Sequence, residues 1–169
     1  MTEYAVIYNA ETGAPIGNYS GLEGTSARQQ IPVGAAYMLV PFEAWTFPPN
    51  LEVIRAHLCA QVDAQAEVKR GRNSTLGSGQ ARAYQRKEAE ARAWAADHGA
   101  ATPYLAAEAA AAGRTVEQVA AAVLARVDAV DLADVKIEAL RVGAKQRIAA
   151  AENLAALQAA AAVAWGADQ

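Results

Sequence analysis

At Asn50 the hydrophobic pattern of this chain changes period, and the change divides it into two kinds of structure. Beyond that point Ile54, Leu58, Val62 and Ala66 recur at helical spacing, with Asp63, Glu67 and Lys69 at other positions of the turn. Residues four apart stack on one side of a helix, so this spacing describes an amphipathic helix. Ahead of it lie short β-branched and aromatic runs separated by Gly and Pro. Tyr4 to Tyr8, Ile16 to Tyr19 and Ala35 to Val40 read as strands, with a turn over Asn9 to Gly13. The expected fold is mainly α (α+β). A small β-rich module with a Pro/aromatic arm fills residues 1–49. An Ala-rich antiparallel helical hairpin or bundle with a long C-terminal helix fills 50–169. Three short strands seldom hold together alone in water, so the module is expected to lean on other parts of the chain or on a partner.

The helical part is punctuated throughout. Asn50 is a good N-cap for a helix from Leu51 to about Arg70, and Gly71 to Gly79 reads as a flexible loop. A second helix is expected from Gln80 to Asp97, with Gly99 just past its end. Thr102-Pro103 opens a third and Gly113 closes it. Thr115-Val116-Glu117-Gln118 has the form of a capping box for a fourth. Whether that helix breaks near Asp131 or runs on is left open by the sequence. Val135 to Trp165 reads as helix, with Ile137, Leu140, Ala144, Ile148, Ala151 and Ala155 at alternating three- and four-residue steps.

Composition sets how such helices can be stabilised. The chain is 53% hydrophobic, but alanine supplies about half of that. Alanine favours helix while giving each contact face little apolar area to bury. Such helices need partners, from this chain or another. The narrow stripe from Ile137 through Ile148, with Trp165 near its end, therefore suggests packing against a second copy or another protein chain. The competing arrangement is pairing with the Leu51–Arg70 helix inside the same chain. In the arm, Trp45 and Phe47 either plug the β-module or anchor a partner protein.

Reactive groups are sparse. His57 and Cys59 lie two apart on one helix and so do not face each other, and His98 sits near a helix end. The glycine-rich Gly71–Gly79 segment has no Gly-Lys-Ser/Thr and no preceding strand, so it does not read as a phosphate loop. No Ser/His/Asp order or zinc motif is evident. These observations give no catalytic, metal-binding or cofactor-binding residue, and no enzyme is expected. A net charge of −3 offers no global basic field for nucleic acid. The longest apolar stretch, Ala155 to Trp165, is too short to span a bilayer. Met1-Thr2-Glu3-Tyr4 lacks the basic start of a signal peptide, so synthesis in the cytoplasm is expected. The single Cys59 suits a reducing compartment.

Several ordered motifs carry a resemblance. Val62-Asp63-Ala64-Gln65-Ala66-Glu67 precedes the Arg- and Gly-rich loop, and Tyr84-Gln85-Arg86-Lys87-Glu88-Ala89-Glu90-Ala91 follows it. Pro103-Tyr104-Leu105-Ala106-Ala107-Glu108-Ala109 leads to Gly113 and Thr115-Val116-Glu117-Gln118. Ile137-Glu138-Ala139-Leu140-Arg141 then precedes Ala144-Lys145-Gln146-Arg147-Ile148. From about Leu51 to Trp165 the chain resembles an uncharacterised helical domain encoded in bacteriophage tail-fibre gene clusters. The resemblance implies a non-enzymatic structural or attachment protein of the viral tail, fibre- or baseplate-associated. It would be located in the virion tail and act through protein–protein interaction. The alternative it implies is a tail-fibre assembly chaperone that binds the fibre transiently. Expected partners are tail-fibre or other phage tail proteins and further copies of the chain. The contacts would be made by Trp45, Phe47, Ile137, Leu140, Ile148 and Trp165.

Overall fold

The computed structural model describes residues 2–25, 31–73 and 78–166. Three strands, β1 (Thr2–Asn9), β2 (Pro15–Leu22) and β3 (Ala35–Val40), form an antiparallel sheet in the order β2-β1-β3. The first turn is built by Asn9, whose Oδ1 accepts from the Glu11 and Thr12 amides at 3.0 and 2.9 Å. Gly13 then takes φ +72°, a conformation that disfavours any residue with a Cβ. Val6 pairs with Met38 and Asn18, and Ala5 with Leu39 and Tyr19, which fixes which side chains share each face.

Five helices follow: α1 (Leu51–Asn73), α2 (Ser78–Ala96), α3 (Pro103–Ala112), α4 (Val116–Ala150) and α5 (Leu154–Ala161). Asn50 caps α1 as expected, accepting from the Glu52 and Val53 amides. Much of the expected loop at 71–79 is helical instead. Residues 71–73 continue α1 and 78–79 begin α2, while 74–77 lie outside the described residues. The capping box at Thr115 forms in both directions: Thr115 Oγ1 accepts from the Gln118 amide, and Gln118 Oε1 from the Thr115 amide. α4 passes through Asp131 without a break, since Leu132, Ala133 and Val135 leave that aspartate on a helical surface with no turn signal after it.

The helix expected over Val135–Trp165 is two helices. α4 ends at Ala150, and Asn153 adopts an extended backbone whose Oδ1 accepts from the Ala156 amide at 2.9 Å. The side chain best suited to begin a helix therefore begins one here, and the run of alanines around it does not override that. Two further details also depart from the sequence reading. α2 ends at Ala96, short of the expected Asp97, and the Gly99 amide is held by the Asp97 carboxylate at 2.8 Å. Thr102 makes no side-chain cap for α3. The carboxylate of Glu90 on α2 does so, accepting from the Tyr104 and Leu105 amides.

Packing divides the chain into two units, residues 1–67 with 138–169, and residues 68–137. In the first, Val6, Tyr8, Met38 and Val40 from the sheet share one core with Ile54, Leu58 and Val62 of α1. Ala144 and Ile148 of α4 and Leu154 and Leu157 of α5 complete it. The strands thus have their apolar cover in helices from both sides of the 68–137 stretch. The second unit has a small core of Ala91, Leu105, Ala109, Val119 and Ala120, rimmed by Trp94, Val116, Val123 and Leu124. Gly113 ends α3 there in the left-handed conformation, as its place in the sequence suggests.

Candidate contact surface

In the first unit, an aromatic arm is fixed against the sheet and presents part of itself to solvent. Phe42–Ala44 forms a single 3-10 turn, and Phe47-Pro48 is a cis peptide. The Tyr4 ring lies 5.2 Å from both the Phe42 and the Trp45 rings, in tilted geometry that suits aromatic quadrupoles. Asn18 donates from Nδ2 to the Thr46 carbonyl at 3.0 Å and ties the arm to β2. Held this way, Trp45 is half-buried against the core, with its indole N–H enclosed and unpartnered. Phe47 and Phe42 stand 63% and 61% exposed. The two arm residues named from the sequence therefore separate: Trp45 packs inward and Phe47 faces solvent.

The helical candidates are placed differently from what association through them requires. Ile148 is wholly buried, packed in the same cluster as Ile54, Leu58 and Val62 of α1, and Ala144 is buried with it. Ile137 is 7% exposed and Leu140 is half-buried. Trp165 is also half-buried, and its Nε1 donates to Gln65 Oε1 of α1 at 2.9 Å. The stripe through Ala144 and Ile148 is thus covered by the chain's own α1.

Charge reinforces that pairing. Asp63 of α1 accepts from Arg141 Nη1 and Lys145 Nζ of α4, both at 2.7 Å, and Arg141 also grips Glu138. The hydrogen bond from Lys145, then the one from Arg141, hold the Asp63 carboxyl below its ordinary range, against a smaller effect of desolvation. A depressed folded-state pKa gives stability that is complete above the unfolded value, near 3.9, and lost as pH falls through the folded value. Asp63→Asn should therefore lower the urea midpoint at neutral pH and merge with the unsubstituted chain at the acid end. The side chain is 41% exposed, so water screens the pair and the neutral-pH difference should be small. An unchanged gap between the two proteins across the acid range would show that Asp63 carries no such linkage.

One surface escaped the sequence reading. The sheet face opposite the core carries Ile7, Tyr19, Tyr37 and Leu39 around Ala5, which is 1% exposed beneath them. Leu39 is 47% exposed, and Tyr19 is steadied by a hydroxyl contact to Thr25 Oγ1 at 2.9 Å. The signal was in β1 itself. Tyr4-Ala5-Val6-Ile7-Tyr8 does not alternate apolar with polar, so both of its faces are apolar.

A cleft of about 200 Å³ lies between the Thr12–Pro15 turn, Pro48-Pro49 and Glu152–Leu154. It is smaller than the ~300–1,000 Å³ usual for small-molecule sites, and Glu152 is its one titratable group. His57 is engaged with Gln61 at 2.9 Å, and His98 meets Trp94 edge-on at 5.1 Å. Among the described residues no group of three or more His, Cys, Asp or Glu is placed to hold a metal ion. None of the described helices is long and apolar enough to cross a membrane. No family model, curated protein or solved structure matches the chain.

Proposed function

We propose that this chain is a non-enzymatic component of a bacteriophage tail, associated with fibre or baseplate, that acts by binding other tail proteins. The observation that carries the binding half is the arm. Phe42 and Phe47 are exposed, yet Tyr4, Trp45 and Asn18 fix the backbone that presents them. Large aromatic side chains on a preorganised segment lose little conformational freedom on docking, which suits them as anchors in a partner's pocket. The tail assignment itself rests on the motif succession from Val62 to Ile148.

Mass spectrometry of gradient-purified particles tests the proposal. The expected result is the chain present in fixed ratio to the fibre protein. Presence only with fibre in assembly lysates would transfer the chain to the chaperone role, and absence from both would overturn the tail reading. The change Phe47→Ala should reduce incorporation while moving the thermal midpoint little, because that ring is exposed and outside the core. Undiminished incorporation would remove the arm as the contact.

A further inference from the structure

The side of α4 that avoids the core carries a second seam. From Ala121 to Ala149, every residue at alternating steps of four and three is exposed. Leu132 is 56% exposed, Val135 66% and Val142 40%, with Ala139 between them. Only Asp128 and Gln146 interrupt the apolar character of the seam. This is the heptad spacing of a two-stranded coil, sustained over four repeats and roughly 42 Å of unbroken helix. An amphipathic surface helix would place charges there.

We propose that α4 pairs antiparallel, along this seam, with α4 of a second copy of the chain. The two polar positions select both the occupant and its direction. In an antiparallel pair with Leu132 opposite Val142 of the second copy, Val135 falls opposite Ala139, and Asp128 opposite Gln146. The Gln146 amide then donates to the Asp128 carboxylate, so each interruption satisfies the other. A parallel pair would bring Asp128 against its own counterpart inside the seam, where two carboxylates cannot both stay ionised cheaply.

Flanking charges allow the same register. Asp131 comes beside Lys145 of the second copy, whose ammonium retains donors beyond the one given to Asp63. Glu138 meets its counterpart, and each is already bonded to its own Arg141. Lys136 meets its counterpart in open solvent, where salt screens the repulsion. Antiparallel helices also set each dipole's positive end beside the other's negative end. The proposal is independent of the tail assignment, since it is carried by α4 alone.

Sedimentation equilibrium of the full chain should give a dimer mass. Val135→Asp should give a monomer mass with the helical circular dichroism retained. Direction is read by cross-linking in a Cys59→Ser background, Cys59 being the chain's sole thiol. Leu132→Cys and Val142→Cys chains should form a mixed disulfide dimer when combined and oxidised, and little disulfide dimer when oxidised separately. A monomer mass for the unsubstituted chain at high concentration would overturn the proposal. So would a dimer unaffected by Val135→Asp, or ready disulfide formation within each single variant, which is the parallel result.

Discussion

Ile148→Asp is expected to abolish cooperative folding of the first unit. The side chain has no exposed surface and sits in one cluster with Ile54, Leu58, Leu154 and Leu157. Removing a buried isoleucine alone costs about 2–5 kcal/mol. An unpaired carboxylate in the same place adds several more or forces itself to stay protonated. Together these rival the ~5–15 kcal/mol that holds a domain folded. Far-UV circular dichroism should show a reduced helical signal, and urea titration at 25 °C should lack the transition of the first unit. Ile148→Val, which keeps the shape, should unfold cooperatively with a loss of about 0.5–1.5 kcal/mol. A well-folded Ile148→Asp monomer would mean that this side chain faces a partner and not α1.

Gly13→Ala should destabilise the first unit through two separate effects. At φ +72° an alanine carries about 1–2 kcal/mol of steric strain. Its Cβ would also overlap the Asn153 carboxamide, which caps α5 through the Ala156 amide. Displacing that cap costs about 1 kcal/mol more. A stiffer unfolded chain offsets part of this, leaving a net loss of about 2 kcal/mol and a midpoint lower by roughly 4–8 °C. Gly24→Ala separates the two effects, since Gly24 has φ +81° but open space around it. Differential scanning calorimetry should show the larger fall at Gly13. Equal falls at the two positions would remove the steric coupling between the first turn and α5.

What the sequence revealed was local, and what it concealed was long-range. The strand at Ala35–Val40, the caps at Asn50 and Thr115 and the stop at Gly113 each rest on residues within a few positions of one another. The cap of α3 came instead from Glu90 on a neighbouring helix, and no pattern around Thr102 announces that. The stripe through Ile148 was recognisable as a contact face, but spacing alone cannot distinguish a partner in the same chain from one in another. Asp63, 78 positions from Arg141, reinforces the intrachain pairing through charge, and it reads in isolation as an ordinary solvated carboxylate. The opposite seam of α4 was legible in principle. It stayed hidden because alanine is apolar on every side of a helix, and only burial shows which side is already covered. Asn153 was overlooked for a related reason, since the alanines on both sides of it give a continuous helical signal.

The discontinuous make-up of the first unit has a consequence for how the chain is made. Its sheet and the start of α1 leave the ribosome well before Ala144, Ile148, Leu154 and Leu157, which complete their core, because residues 68–137 must be synthesised in between. At about 5–20 residues per second that interval is on the order of ten seconds. Through it Val6, Tyr8, Met38 and Ile54 have no α4 or α5 to cover them, whereas the core of the 68–137 unit is drawn from one continuous stretch. The helical insert therefore has all of its core residues translated before the sheet that precedes it has its own cover. The nascent β-strands pass through the most adhesive period of their existence before their own cover has been translated.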